Sequence, residues 1–321
     1  MSETAPAETP LDELVDAVAD RTDEDPESVR RWLDPFTDDE RVTPAAIEAT
    51  VTDVSQVLAT AETRVDLATR AYESASDAAA DAPDLDVVAV RRRGFEDRIA
   101  DLRADVETLG EELGAATADL DSPVEVYRAA VDLHEITTDA NRIVRVAHDL
   151  ETDLEAFEAW LGSANRRHDA LLDDVDAAEE SAASVAETVE AIRAADDPDP
   201  ERRFDATVQT RVLDLAVADL RAEAADLRTW ADREGLSFPD DVEERIDAVE
   251  DEAASAETLG DDPNWDDRFD RRLETLEREL SAVDPPVAWS RVDEAIAEAR
   301  SAFSTDDPDG DGDPGEETVD R

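Results

Sequence analysis

The stretch that decides the fold runs from Val126 to Ile192 and reads VYRAAVDLHEITTDANRIVRVAHDLETDLEAFEAWLGSANRRHDALLDDVDAAEESAASVAETVEAI. Its apolar residues recur at steps of three and four, with His168 as the one polar member of the series: Val126, Ala129, Leu133, Ile136, Ala140, Ile143, Ala147, Leu150, Leu154, Phe157, Leu161, Ala164, His168, Leu171, Val175, Ala178, Ala182, Val185, Val189 and Ile192. Such a heptad repeat places one apolar seam along a helix, which partner helices must cover. The sequence therefore predicts an all-α fold around one helix, about 100 Å long if unbroken.

Prolines and turn residues divide the rest of the chain. Thr43-Pro44 opens a helix, and the turns at Pro83-Asp84 and Asp121-Ser122-Pro123 predict an antiparallel hairpin that covers the first half of the seam. Gly162-Ser163 lies within the long helix, but the repeat keeps its phase across it, which favours a continuous helix. We therefore expect an elongated assembly of antiparallel bundles that share one long central helix. Its predicted parts are a disordered leader (1–10), a small helical module (11–42), the hairpin (43–122), the long central helix (123–197), a C-terminal helical bundle (198–303) and a disordered acidic tail (304–321).

The composition is strongly acidic, with 89 Asp and Glu residues against 31 basic residues and a formal charge of −58. All the basic residues are arginine. Self-repulsion on this scale destabilises a compact fold at ordinary ionic strength, whereas at molar salt the Debye length falls to roughly 3 Å. The composition is typical of a salt-in halophile, and we expect an archaeal source. The acidity then reflects the solvent and does not indicate a partner.

Several functional classes lack their sequence signals. There is no cysteine, so disulfides and thiol catalysis are excluded. The first residues, MSETAPAETP, have neither the basic start nor the apolar core of a signal peptide, and no window approaches the ~18 apolar residues of a membrane span. The sequence has no phosphate-binding glycine loop and no serine elbow. We expect a cytoplasmic protein that is not an enzyme and binds no cofactor.

Two short segments near the N-terminus are spaced as a pair of helices. Val18-Ala-Asp-Arg-Thr22 ends the first, and Pro26-Glu-Ser-Val-Arg-Arg-Trp-Leu33 forms the second, with Asp25 as its N-cap. Over these residues the module resembles the helix-turn-helix of transcription regulators. It departs from that pattern in the turn, where Asp23 stands in place of the usual glycine and Glu24 in place of an apolar residue.

The resemblance implies that residues 11–36 contact DNA, with Arg30 and Arg31 as the contacting residues. DNA affinity rests mainly on neutralising phosphates, and these residues include nine carboxylates against Arg21, Arg30 and Arg31. The charge therefore favours a helical cap or docking module over a DNA reader.

Two further segments are similar to those of haloarchaeal coiled-coil proteins known as "halo transducers". They are Asp20-Arg-Thr-x-x-Asp-Pro-Glu27 and Ala61-Glu-Thr-Arg-Val65. A cytoplasmic signalling adaptor would need a partner in the taxis machinery, which the sequence does not reveal. The sequence lacks the signalling hairpin tip and the membrane segment of chemotaxis transducers, so the resemblance supplies no mechanism.

The histidines, an acidic segment of the tail and an arginine triplet are the candidate polar sites. His134 and His148 lie ~20 Å apart along a helix and cannot share a metal, so no metal site is expected; His168 is interpreted as a polar seam residue that sets register. The segment Asp307–Asp313 resembles the start of a calcium loop, but Thr318 stands where that loop needs glutamate, which favours a solvated tail. Arg91-Arg92-Arg93 is attributed to ion pairing with neighbouring carboxylates.

These patterns together favour a non-catalytic coiled-coil scaffold or protein-interaction module. Its expected partner is another protein, or a second copy joined through the helical seams, with no membrane and with nucleic acid disfavoured. Two alternatives remain open at this stage. One is a DNA-associated transcriptional regulator that reads with residues 11–36 and dimerises through the coiled coil, and the other is a cytoplasmic signalling adaptor.

Overall fold

The computed structural model describes residues 8–195, 199–256 and 267–301. Within these ranges the chain is all-α apart from three two-residue strands, which confirms the predicted fold class. Trp265 and the calcium-loop-like tail segment lie outside the described residues. The helices are α1 (Leu11–Thr22), α2 (Pro26–Leu33), α3 (Pro44–Ala80), α4 (Asp86–Ala116), α5 (Pro123–Leu161), α6 (Ala164–Ala194), α7 (Pro200–Glu234), α8 (Val242–Ala256), α9 (Asp267–Leu280) and α10 (Trp289–Ser301).

Three short strands close the N-terminal module. β1 (Thr9–Pro10) and β2 (Thr37–Asp38) both pair antiparallel with β3 (Arg41–Val42), in the order β1-β3-β2. The leader was predicted to be disordered through residue 10, and this boundary is wrong. Backbone pairing with β3 and the bond from Leu11 N–H to the Glu40 carbonyl at 3.0 Å hold Thr9 and Pro10 in place.

The chain folds as two compact units. Unit 1 comprises residues up to 82 together with 95–162, and unit 2 comprises 83–94 together with the residues from 163 onward. Helix α4 contributes its first turns, up to Gly94, to unit 2 and the rest of its length to unit 1.

Unit 1 is built on the packing of α3 against α5, and the N-terminal helices α1 and α2 pack on α5 as well. Alanines that are fully buried on α3 and α5, such as Ala68 and Ala147, allow two helices to approach closely. Residues 95–116 of α4 also contact α5, through Phe95 on Phe157 and through Arg98 Nη1 to Asp153 Oδ2 at 2.8 Å. Helix α3 and residues 95–116 of α4 therefore lie against the first half of the repeat.

The predicted continuous helix is broken at Gly162-Ser163. Helix α5 ends at Leu161, and Ser163 has the extended backbone (φ −143°, ψ 114°) of an N-cap for α6. Its hydroxyl accepts a bond from the Arg166 N–H at 3.4 Å. The prediction of one long central helix is wrong, because an extended residue at 163 interrupts the helical hydrogen bonds and a serine is present to cap the new start.

Unit 2 contains helices α6 to α10 and the first turns of α4. Helices α6, α7 and α8 pack against one another, and α9 and α10 pack together, with α9 also on α7. Residues of α7, α9, α10 and the α9–α10 connection share one apolar cluster, whose buried members are Phe204, Val208, Leu276, Leu280, Val287, Val292, Ala295 and Ala299. The first turns of α4 join this unit where the Val87 N–H donates to Asp226 Oδ2 at 2.9 Å.

Candidate functional site

The predicted DNA-contacting arginines lie on the exposed face of α2. Asp25 caps α2 by accepting a bond from the Ser28 N–H at 3.0 Å. Arg30 forms an ion pair with Asp12 of α1, and that bond raises the pKa of the Arg30 guanidinium above its ordinary value. Arg31 is also exposed. The structure thus places Arg30 against a carboxylate of its own module, and this pairing competes with any phosphate for the guanidinium.

The opposite side of α2 faces α5. Trp32 meets the His134 ring edge-on, with ring centroids 4.8 Å apart, while Val29 and Leu33 are fully buried. His148 lies exposed on α5. Of the predicted histidine sites, His134 therefore serves as a packing partner for the N-terminal module.

The seam position expected for His168 is occupied by Arg167. Arg167 is 2% exposed, whereas His168 is half-buried against Phe238 with ring centroids 5.4 Å apart. At the start of α6 the buried residue is Arg167, and the buried series then continues through the predicted positions Leu171, Val175 and Ala178. The prediction that His168 occupies the seam is wrong, because the preceding residue is buried in its place.

Arg167 is held by α7. Its guanidinium lies over the Trp230 ring, 3.8 Å from the centroid, and its Nη2 donates to Glu234 Oε2 at 2.5 Å. Burial lowers the pKa of Arg167, and the Glu234 charge partly compensates. Burial and the Arg167 charge also lower the pKa of His168. This cluster fixes the start of α6 on the end of α7, which is a structural role.

The arginine triplet on α4 has a more distant partner than the sequence indicated. Arg91 Nη2 donates to Glu223 Oε1 of α7 at 2.7 Å, a residue 132 positions away in the chain. Glu223 is 7% exposed. The attribution of Arg91 to pairing with neighbouring carboxylates is therefore incomplete, since the helix packing of unit 2 brings it to a buried glutamate.

Arg91 and Glu223 line a cavity of about 510 Å³ inside unit 2. Its walls come from the first turns of α4, from α6, α7 and α10, and from the α9–α10 connection. Most of the lining side chains are apolar: Val87, Val90, Ala177, Ala178, Val208, Val212, Leu213, Ala216, Leu220, Pro286, Val287, Trp289 and Ile296. Apolar walls with a few convergent polar groups, at this volume, are typical of small-molecule sites.

Asp219 fixes one wall of the cavity. Its Oδ1 accepts a bond from the Val287 N–H at 2.7 Å, and its Oδ2 accepts one from Trp289 Nε1 at 2.8 Å. The two donors come from the α9–α10 connection and from the first residue of α10. Asp219 therefore accepts two hydrogen bonds that tie the connection to α7.

The polar part of the cavity has more carboxylates than cations. Burial raises the pKa of Glu223, and the charges of Asp174 and Asp219 raise it further against the opposing effect of Arg91. The pKa of Asp174 is also raised, first by desolvation, although its side chain reaches the exposed rim. Arg300, the other cationic residue of the lining, bonds to Asp205 outside it at 3.2 Å. One guanidinium, that of Arg91, thus faces three carboxylates.

The three carboxylates of the cavity do not form a metal site. Among the residues that the structure describes, no group of three or more His, Cys, Asp or Glu side chains has the geometry to hold a metal ion. The cavity is instead a mainly apolar compartment with a negative end.

A second concave surface lies on unit 1. The first three turns of α3 and Leu120 form an open groove of about 440 Å³. We call it the α3 groove; its lining residues are Pro44, Ile47, Glu48, Val51, Thr52, Ser55 and Leu120. Val51 and Leu120 are half-buried and Glu48 is exposed, so the groove has an apolar floor and a negative rim.

Sequence reasoning missed the buried carboxylate, although a signal was present. Glu223 stands three residues after Leu220 and four before Leu227, which is the spacing of a seam position on α7. Ala224, the next residue, fits the same spacing and is buried as well. In a chain with 89 carboxylates, the helical position of a glutamate is the one sequence property that distinguishes a buried site from a solvated face.

The comparisons with known proteins add no relative. No family model, curated protein or solved structure matches this chain. In the described part of the chain, no helix combines the length and apolar character needed to cross a bilayer.

Proposed function

We propose that the chain is a non-catalytic protein-interaction module, a scaffold of halophilic cytoplasm whose α3 groove seats an amphipathic helix of a partner protein. The observation that carries this proposal is the groove itself. Its floor is made by apolar side chains of α3 that stand three and four residues apart, Pro44, Ile47 and Val51, together with Leu120. A surface of this kind complements the apolar face of a helix.

The size and charge of the groove define the partner. From Pro44 to Ser55 it extends over roughly 17 Å of α3 at the helical rise, enough for about three turns of a bound helix. Glu48, exposed on the rim, favours a partner helix with a basic residue beside its apolar stripe. The expected occupant is therefore a cationic amphipathic helix.

Site-specific photo-cross-linking in the native host at native salt tests the proposal. A cross-linking amino acid replaces Val51 in the groove and, as a control, Val146, which is 37% exposed on α5 outside the groove. We expect the Val51 probe, and not the Val146 probe, to capture one segment with apolar residues at helical spacing and a flanking arginine or lysine.

A synthetic peptide of the captured segment then allows a quantitative test. Val51→Asp should weaken its binding by about tenfold or more, whereas Val146→Asp should change it less than about twofold. Capture of a segment of this same chain would identify a second copy as the occupant and overturn the partner assignment. Equal cross-linking from both positions would contradict the proposal that the α3 groove is the docking site.

The transcriptional-regulator alternative rests on Arg30 and Arg31. Arg30 already bonds to Asp12, and Glu40 and Asp16 add to the negative field around it. The scaffold proposal therefore expects no enrichment of DNA on the protein purified at native salt. Enrichment at discrete loci that is lost in Arg30→Glu would contradict it and favour the regulator.

The signalling-adaptor alternative is a special case of the scaffold proposal. It requires the segment captured at Val51 to belong to a component of a sensory pathway. The same cross-linking experiment therefore decides it through the identity of the captured protein.

A further inference from the structure

The cavity of unit 2 has a chemical polarity that selects its ligand. One end is formed by Asp174, Glu223 and Arg91, and the remaining walls are mostly hydrocarbon. A ligand that fills both parts must carry a small polar group on an apolar body. The charged side chains around this end of the cavity determine which charge that polar group should carry.

The surrounding charges favour a cation. Arg91 is already bound by Glu223, at 2.7 Å, so an incoming anion would have to displace a buried carboxylate from it. That anion would also approach Asp174 and Asp219. A cation would instead relieve the mutual repulsion of these carboxylates, and it would do so in a partly desolvated site, where charge interactions are stronger and less screened by salt.

The apolar walls exclude a bare inorganic cation as the best ligand. Valine, leucine and isoleucine side chains line the cavity beyond the carboxylates, and the described residues hold no metal-binding cluster. Those walls gain favourable contact only from a hydrocarbon group, whose apolar surface leaves water on binding. A volume of about 510 Å³ accommodates a small organic molecule.

We propose that unit 2 binds a small amphipathic amine, with its ammonium group between Asp174 and Glu223 and its hydrocarbon part against the apolar walls that include Val212 and Ile296. Asp219 holds the wall formed by Val287 and Trp289 through its two hydrogen bonds and so shapes the apolar part of the site. This ligand site is independent of the α3 groove, and its test does not depend on the proposed partner.

Isothermal titration calorimetry of the full chain in molar potassium chloride tests the assignment with three probes of equal length. Octylamine is cationic at pH 7, octanol is neutral and octanoate is anionic. We expect octylamine to bind about tenfold or more tightly than either of the other two, which is the usual magnitude for one charge-assisted contact.

Three variants place the ligand in the cavity. Asp174→Asn should weaken octylamine binding by about fivefold or more, while Asp173→Asn, which removes the neighbouring exposed carboxylate outside the lining, should change it less than about twofold. Ala216→Leu should weaken binding of octylamine by occupying cavity volume with every charge retained. Asp174 is exposed at the rim, so its variant removes the contact without disturbing the core.

Each of the other outcomes overturns the proposal. Equal binding of octanol and octylamine would make the cavity a purely apolar site. Preference for octanoate would assign the polar end to Arg91 as an anion site. Absence of binding by all three probes, or an equal loss in Asp173→Asn and Asp174→Asn, would show that the cavity does not recognise an amine.

Discussion

The two units build their interiors from the same kind of repeat and fill them differently. In unit 1, α3 and α5 bury an almost wholly apolar seam that includes fully buried alanines, with Thr69 as its one buried polar residue among those described. In unit 2, the described parts of α6 and α7 bury Arg167 and Glu223 and border a cavity of about 510 Å³. The comparison teaches that a heptad pattern specifies which helix face is buried, but not whether the buried space is completely filled.

Enlarging an alanine should destabilise the two interiors to very different degrees. Ala147 is 0% exposed on α5, so Ala147→Leu should lower the free energy of unfolding by about 2–3 kcal/mol through overpacking. Ala216 lines the cavity of unit 2, so Ala216→Leu should change it by less than about 0.5 kcal/mol. Urea denaturation followed by circular dichroism measures both variants. Equal losses would mean that the cavity is as tightly filled as the seam of unit 1.

Substitution of the buried Arg167 should have the next largest effect on stability. Arg167→Ala removes the contact with Trp230 and the bond to Glu234, and we expect a loss of about 2 kcal/mol. The control, His168→Ala, should cost less than about 1 kcal/mol because this side chain is half-buried. Thermal or urea unfolding compares the pair. A larger loss of stability in His168→Ala than in Arg167→Ala would indicate that His168, and not Arg167, is the buried seam residue.

The sequence-based account succeeded where the repeat was purely apolar. Every α5 position that the pattern assigned to the seam, from Val126 to Leu161, is buried. It failed at the junction because the apolar spacing of Leu161, Ala164 and His168 remains in phase across the break, and periodicity alone cannot detect one extended residue at Ser163. The local signal was Gly162 followed by a capping serine, which is typical of a helix end and a new start.

The candidate sites were harder to predict for a second reason. The ion pair of Arg91 with Glu223 joins positions 132 residues apart, so it depends on how α4 and α7 pack and not on local sequence. The α3 groove shows the same limit. Val51 follows Ile47 by four residues and precedes Val54 by three, which is the spacing of a seam position, yet it is only half-buried. Helix spacing does not state where a partner helix stops covering the seam.

Substitutions at the helix break should change stability less than those above, and the two substitutions should differ from each other. Ser163→Ala removes the N-cap of α6 and should cost about 1 kcal/mol. Gly162→Ala should be neutral, because Gly162 has a right-handed helical backbone and an added Cβ would meet the Glu158 carbonyl at an ordinary 3.6 Å. Unfolding midpoints in urea test the pair. If both substitutions stabilise the protein, residues 162 and 163 belong to an unbroken helix.

Glu223→Gln should give the smallest effect, and one that depends on pH. The raised pKa of Glu223 means that its charged form is disfavoured in the folded state, while a glutamine carbonyl still accepts the bond from Arg91. The variant should therefore be more stable than the parent by about 0.5 kcal/mol above that raised pKa. The advantage should shrink as the pH falls through it and vanish below the ordinary value of 4.5. Melting temperatures between pH 8 and 4 measure this trend, and an advantage that grew towards low pH would contradict it.

We infer that the heptad repeat spans two separate helices, with a closed seam in unit 1 and a mainly apolar cavity with a negative end in unit 2. Residue-resolved amide hydrogen exchange across residues 150–175 of the full chain at molar salt tests it most directly. We predict strong protection up to the Gly162 N–H, which donates to the Glu158 carbonyl at 3.1 Å, and again from the Arg167 N–H, which donates to the Ser163 carbonyl at 3.0 Å. Between them, the amides of Ser163, Ala164 and Asn165 should exchange rapidly, because the first amides of a helix lack intrahelical acceptors. Uniform protection across this segment would contradict the break and restore one continuous central helix.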